Sequence, residues 1–235
     1  FNGNNFKNTL PWTPYYLGYT YYTDYRGYGI HSLLSSFTVT SMNTSLWLPM
    51  MPTYVNTFEG LYYGIYASGQ KTTAPYIYYN TFTNNFRGVI VSSSTGPRVL
   101  FNSFNTTNED AVLSYTPAVI NGTPAATVSY AAYINSCQDY SVEENSAING
   151  DAGIYIYNTG DAYGLELYRN SFGENASEGY SIGNAAVIVG RNSNHINQTG
   201  AGDIGLQIRC NNFTDNTKAI SVVNGNMRLN QGEPN

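Results

Sequence analysis

An asparagine followed two residues later by phenylalanine recurs along the chain, at Asn4/Phe6, Asn56/Phe58, Asn80/Phe82, Asn102/Phe104, Asn170/Phe172 and Asn211/Phe213. The copies share a hydrophobic frame. An aliphatic residue stands three positions before the Asn, as in Ile77, Val99, Val142, Leu167, Val189 and Ile208, and often another five before it, as in Leu165, Val187 and Leu206. Six residues after the Phe, or after the residue standing in for it, come a small residue and then apolar positions, as in Gly64-Ile65, Gly88-Val89-Ile90-Val91, Gly153-Ile154-Tyr155-Ile156 and Ala219-Ile220-Ser221-Val222. Weaker copies, Asn145-Ser146-Ala147 and Asn192-Ser193-Asn194, keep the frame and replace the aromatic. Spacings of 24 (56 to 80), 22 (80 to 102), 25 (145 to 170), 22 (170 to 192) and 19 (192 to 211) lie close to the window that marks solenoids.

Each copy therefore begins with a short strand, and a second follows a turn. Alternation puts Leu165 and Leu167 on one face and Glu166 and Tyr168 on the other, so the aliphatic face points inward. Asn and Phe share a parity that differs from that of the preceding aliphatics, which implies a bend just before the Asn. Asn suits such a bend because it tolerates unusual backbone angles, and its amide can bond both the backbone and the next Asn in a stack. The Asn copies should form a ladder and the Phe copies a neighbouring stack. A lone coil cannot bury its apolar face, so stability must come from the coils above and below. A helical reading fails because the apolar period is two and aromatic and β-branched residues dominate. The expected fold is all-β, a right-handed parallel β-helix of about nine or ten coils forming a single solenoid over residues 1–235.

Charged residues are only 11% of the chain, while Tyr reaches 23 and Asn 30. With 10 Lys+Arg and a net charge of −5 there is no basic stripe for phosphates, which argues against nucleic acid as a partner. No apolar run approaches the roughly 18 residues needed to cross a bilayer. The first residues already belong to a repeat and Met227–Gly232 reads as a further strand and turn, so we expect a segment of a longer polypeptide lacking its leader. Cys137 and Cys210 lie 73 residues apart, about three coils; at about 4.8 Å per strand that exceeds the reach of a disulfide. Both are expected to be free thiols in packed positions.

The frame resembles the right-handed parallel β-helix repeat proteins, which include pectate lyases, polygalacturonases, alginate epimerases and large bacterial surface proteins. The run Ile208-Arg209-Cys210-Asn211-Asn212-Phe213-Thr214-Asp215-Asn216, continuing to Asn224-Gly225-Asn226, is especially similar to the secreted repeat proteins of Bacteroidota-type bacteria. The resemblance covers residues 54–230 and implies the fold more strongly than the function, because this scaffold carries both enzymes and inert rods. It implies secretion to the bacterial cell surface, with other domains of a longer chain, polysaccharide or outer-membrane proteins as partners. It also allows a cargo or subunit of an outer-membrane export or gliding apparatus.

The enzymes of that fold cluster carboxylates or a basic residue on one outer face. Here Asn-Thr-Asp, Asp-Asp, Gly-His-Gly and Arg-Ile-Lys are all missing, as is Arg-x-Pro-x-x-Arg. Tyr28-Gly29-Ile30-His31 is similar to the epimerase Tyr-Gly-Phe-Asp-Pro-His but lacks its Asp. No cofactor or metal ligand set is expected, and no catalytic residue is assigned. The best acidic cluster is Asp139, Glu143, Glu144 and Asp151, followed by Glu166 and Arg169; with Glu144, Arg169 and Arg191 in one column, it reads first as a ladder of exposed charges. The alternative is a lyase, hydrolase or epimerase surface at Glu143, Glu144, Glu166 and Arg169. His31 and His195, at opposite ends of the chain, cannot share a site.

Insertions on a rigid repeat are where function concentrates. One spans about 10–28 and carries Trp12, Tyr15, Tyr16, Tyr19, Tyr21, Tyr22, Tyr25 and Tyr28; a second, about 38–53, holds Trp47; a third covers about 114–135. Such aromatics suit sugar rings or a protein interface. The outward positions Tyr76, Tyr78, Glu143, Glu166, Tyr168, Gln207 and Arg209 offer a flatter surface. The expected function is a non-catalytic adhesive or structural rod.

Overall fold

The computed structural model describes residues 4–7, 27–41, 55–69, 74–107, 119–120, 123–124, 128–159, 166–173, 182–183, 185–190, 206–223 and 227–230. Each turn of chain contributes three strands in a fixed order. The first turn has Asn5–Lys7 (β1), Tyr28–Leu33 (β2) and Thr38–Thr40 (β3); the second, Thr57–Glu59 (β4), Tyr63–Ser68 (β5) and Tyr76–Tyr78 (β6); the third, Thr81–Asn85 (β7), Arg87–Ser92 (β8) and Arg98–Leu100 (β9). The fourth runs from Ser103–Thr106 (β10) through a small antiparallel hairpin, Val119–Ile120 (β11) and Thr123–Pro124 (β12), to Tyr130–Asn135 (β13) and Ser141–Glu143 (β14). The remaining turns are Ser146–Ile148 (β15), Ala152–Tyr157 (β16) and Glu166–Tyr168 (β17); Ser171–Phe172 (β18), Ala185–Val189 (β19) and Leu206–Arg209 (β20); and Asn212–Phe213 (β21), Ile220–Val222 (β22) and Met227–Asn230 (β23).

Corresponding strands pair in parallel into three seven-stranded sheets: sheet I (β1-β4-β7-β10-β15-β18-β21), sheet II (β2-β5-β8-β13-β16-β19-β22) and sheet III (β3-β6-β9-β14-β17-β20-β23). The protein is all-β, and this arrangement is compatible with a parallel β-helix. The Asn-x-Phe segment, expected to follow a bend just before the Asn, forms the strand of sheet I, a third strand per turn where the sequence reading gave two. A residue in the left-handed region precedes it at each bend from the second turn to the sixth: Tyr79, Phe101, Glu144, Arg169 and Cys210, with φ of 54°, 56°, 52°, 52° and 53°.

The Asn ladder runs unbroken. The backbone N–H and Nδ2 of Asn80 both donate to Oδ1 of Asn102 (3.0 and 2.9 Å), and Asn102 repeats this on Asn145, Asn145 on Asn170 and Asn170 on Asn211. The second hydrogen on Nδ2 reaches the carbonyl of an earlier strand's aliphatic residue, as from Asn102 to Ile77 and from Asn145 to Val99. The side chain is thereby satisfied at full burial, where an orphaned polar group would cost about 1–3 kcal/mol. Beside the ladder, Phe6, Phe58, Phe82 and Phe104 stack at 4.6–4.7 Å, and Phe172 stacks on Phe213 at 5.3 Å.

The ladder also corrects the repeat count. Asn170 bonds Asn211 directly, so Asn192 is not a rung between them, and Ala185–Val189 belongs to sheet II, with Val187 in register with Ile154. Inward aliphatics alternate in sheets II and III alike, so spacing alone could not distinguish the two. The described strands make seven rungs where about nine or ten were expected. Two insertion boundaries shift as well: Thr38–Thr40 and Tyr130–Asn135 are sheet strands.

The main core fills the space between the sheets with Val39, Ile77, Val99, Val142, Leu167, Val89, Val91, Ile154, Ile156 and the Phe stack. A second apolar cluster covers the outer face of sheet II: Ile90, Tyr130, Tyr133, Ala152, Tyr155, Ala185 and Ile188, with Tyr63, Tyr66 and Tyr157 at its margin. Arg87 is buried there, its guanidinium 5.1–5.3 Å from the ring centroids of Tyr62, Tyr63, Phe86 and Tyr130, and it donates to the Val128 carbonyl and the Tyr63 hydroxyl. Sheet II thus uses most of its tyrosines for packing.

Candidate functional site

The alternation that buries Val39, Ile77, Val99, Val142, Leu167 and Ile208 at 0–3% exposure turns the flanking residues of sheet III outward. Register aligns them in two columns. One holds Thr38, Tyr76, Arg98, Ser141, Glu166 and Gln207; the other holds Thr40, Tyr78, Leu100, Glu143, Tyr168 and Arg209. The left-handed bend residues form a third column beside them, because that backbone conformation turns the chain toward sheet I and leaves the side chain outside the corner.

The earlier rungs of this face are aromatic. Tyr76, Tyr79 and Phe101 are 40%, 45% and 37% exposed. Tyr79 and Phe101 stack at 4.6 Å with their planes 9° apart, and Tyr76 and Tyr78 meet at 5.7 Å. Partial burial raises the Tyr78 hydroxyl above its ordinary pKa and Tyr76 adds to this, while Arg98 acts in the opposite direction. Arg98 pairs with the Asp139 carboxylate at 3.6 Å and donates to the Asp139 carbonyl, tying this patch to the next rung.

The later rungs are charged. Ser141 Oγ donates to Glu143 Oε1, Arg169 lies 3.8 Å from Glu144, and the Arg169 guanidinium sits 4.8 Å above the Tyr168 ring. The expected pairing within the Glu144–Arg169 column is therefore present. Both partners are largely exposed, so it contributes at most about 1 kcal/mol. Tyr76, Tyr78, Tyr168, Glu143, Glu144 and Arg169 share one face. The side chains of Glu166 and Gln207 lie outside the described residues, as do Trp12, Tyr15, Tyr16, Tyr19, Tyr21, Tyr22, Tyr25, Trp47, Arg191 and His195.

Two residues of the face, Tyr79 and Phe101, were not singled out from the sequence. The signal available was their place immediately before each ladder Asn. The same column corrects one thiol. Cys137 is buried as expected, but Cys210 occupies the outer corner before Asn211 and is exposed. Tyr28-Gly29-Ile30-His31 has a packing role instead: Tyr28 stacks on His31 and Tyr63, Ile30 enters the core, and Gly29 lies against Phe58.

Comparison of the chain with family models, curated proteins and solved structures found no match.

Proposed function

We propose that this chain is a segment of a secreted, cell-surface, right-handed parallel β-helix that acts as a non-catalytic adhesive rod, with the outer face of sheet III as its contact surface for polysaccharide or a partner protein. The observation that carries this reading is the run of exposed Tyr76, Tyr79 and Phe101 side chains on rigid, fully bonded rungs. Exposed aromatics flanked by ion pairs are the composition of an interface centre and its rim. They need no side-chain ordering on binding, because each is already held by a ring or strand neighbour. The neighbouring carboxylates support the same reading: Glu144 is engaged by Arg169 and Glu143 by Ser141.

The test is incubation of the purified protein with a panel of acidic and neutral polysaccharides, reading retention together with new reducing ends and unsaturated products. Retention without cleavage, weakened by Tyr79→Ser and Phe101→Ser with melting unchanged, is the expected result. Cleavage lost on Glu144→Gln would overturn it in favour of catalysis on the later rungs. Neither retention nor cleavage would leave a protein partner as the contact of this face.

A further inference from the structure

The charges on the outer face of sheet III are unequally satisfied. Arg98 pairs with Asp139, and Arg169 pairs with Glu144 and lies over the Tyr168 ring. Arg209, on the sixth rung, is half-buried and likewise engaged. Glu143 differs. Its carboxylate accepts the Ser141 hydroxyl, and no cation pairs with it among the described residues. Register sets Glu143 between Leu100 and Tyr168, with Tyr78 one rung beyond Leu100, so this carboxylate interrupts an otherwise apolar and aromatic column. The four rungs from Tyr78 to Tyr168 are all internal to the sheet and span about 14 Å at about 4.8 Å per strand. The exposed, stacked rings of Tyr79 and Phe101 stand beside them.

On the reading of this face as the contact surface, we propose that its ligand is a neutral polysaccharide and that Glu143 sets the preference. The carboxylate accepts hydrogen bonds from sugar hydroxyls, and a charged acceptor makes these about twice as strong as a neutral one. Leu100 and the rings of Tyr79 and Phe101 take the apolar C–H surface of the sugar beside it. A polyuronate or a sulfated chain brings its own anions against Glu143. Arg98 and Arg169 compensate them only by giving up Asp139 and Glu144, which leaves those carboxylates unpaired instead. Repulsion between exposed charges is screened beyond about 10 Å at about 0.1 M ionic strength, so the exclusion of acidic chains is strongest at low salt, whereas binding of a neutral chain is insensitive to it.

The probes are immobilised xyloglucan, galactomannan and dextran, set against polygalacturonate and alginate, with retention of the intact protein read at low and high salt. At least one neutral chain should retain the protein equally at both, and neither acidic chain should retain it at low salt. Glu143→Ala should weaken retention on the neutral chain about tenfold, the equivalent of one hydrogen bond to a charged group. Glu143→Gln should raise retention on polygalacturonate at low salt; it keeps the side chain's shape and an acceptor for Ser141, so it decides the matter if Glu143→Ala does not fold. Retention on an acidic chain as strong as on a neutral one, or indifference of neutral binding to Glu143→Ala, would overturn the proposal and leave the face as the contact surface if Phe101→Ser still weakens retention. No retention on any chain would also overturn it, in favour of a protein contact. Retention untouched by Tyr79→Ser and Phe101→Ser would instead overturn the underlying assignment of the face.

Discussion

Gly88 lies against the ring of Phe104 on the next rung, so closely that a Cβ built on it would stand 2.6 Å from the ring's Cδ1 and 2.4 Å from the Ala131 carbonyl oxygen. Gly29 and Phe58, Gly64 and Phe82, and Gly153 and Phe172 repeat the relationship. The glycine at this register position of sheet II therefore lies against the ring of the following turn. Ala131 stands in this column where Ala147 takes the ring position, and Ala186 stands there before Phe213, which is set back at 5.3 Å from Phe172.

Gly88→Ala should consequently destabilise the protein by about 1–3 kcal/mol, the usual range for overpacking. Urea denaturation would measure it. Combining it with Phe104→Ala should cost less than the sum of the two single changes, because the added methyl group then enters the space left by the ring. Strict additivity would show that the ring is not what excludes the Cβ.

Asn102→Ala removes the acceptor of both the Asn80 N–H and Nδ2, and the donor to the Ile77 carbonyl and Asn145 Oδ1. With buried groups orphaned on both sides, a loss of about 2–4 kcal/mol is expected, summing penalties of about 1–3 kcal/mol per group with some relaxation. Asn102→Asp should be no milder, since it loses the donor and introduces a buried charge. Thermal melting of both variants would check the order.

Alkaline pH should unfold the protein. Burial pushes the Cys137 thiol up from 9.0 to about 12, and it raises the hydroxyls of Tyr130, Tyr133, Tyr140 and Tyr155 above their ordinary value of 10.0. The unfolded chain releases these protons at ordinary values while the folded chain retains them. The stabilisation is therefore complete below about pH 9 and is lost as pH rises toward the folded values. The urea midpoint should fall between about pH 8 and about pH 11, with tyrosinate absorbance from the buried set appearing together with unfolding. A midpoint independent of pH across that window would contradict the burial of these groups.

The two thiols should differ in reactivity. Exposed Cys210 should be labelled at once by a thiol reagent, and buried Cys137, with its raised pKa, only after denaturation. Labelling of both in the native state would place Cys137 outside the core.

Much of this architecture is legible without coordinates, because a solenoid converts three-dimensional neighbours into a sequence period. The Asn ladder, the Phe stack and the inward aliphatics of sheet III all follow from residues recurring at one spacing. So does the pairing of Glu144 with Arg169, which needs only the assumption that columns align. The candidate face was legible in part: Tyr76, Tyr78 and Tyr168 follow from alternation. Tyr79 and Phe101 do not, because alternation breaks at a left-handed residue and only the backbone angle shows which way that side chain leaves the corner.

By itself the sequence determined the strand period, the identity of the ladder and stack, and the all-β class, since each is a local pattern enforced by burial and by the obligatory bonding of buried amides. The tertiary structure alone decided that Asn170 and Asn211 are successive rungs, 41 residues apart, where the sequence reading placed Asn192 between them. A turn may lengthen from 22 residues (Asn80 to Asn102) to 43 (Asn102 to Asn145) without disturbing the pairing, because closing a longer loop costs entropy only logarithmically while the rung's contacts stay the same. It also decided which tyrosines face solvent. Tyr155 and Tyr76 both occupy outward strand positions, yet one is fully buried on sheet II and the other is exposed on sheet III. The difference lies in what packs against each sheet from outside, and no periodicity along the chain encodes that.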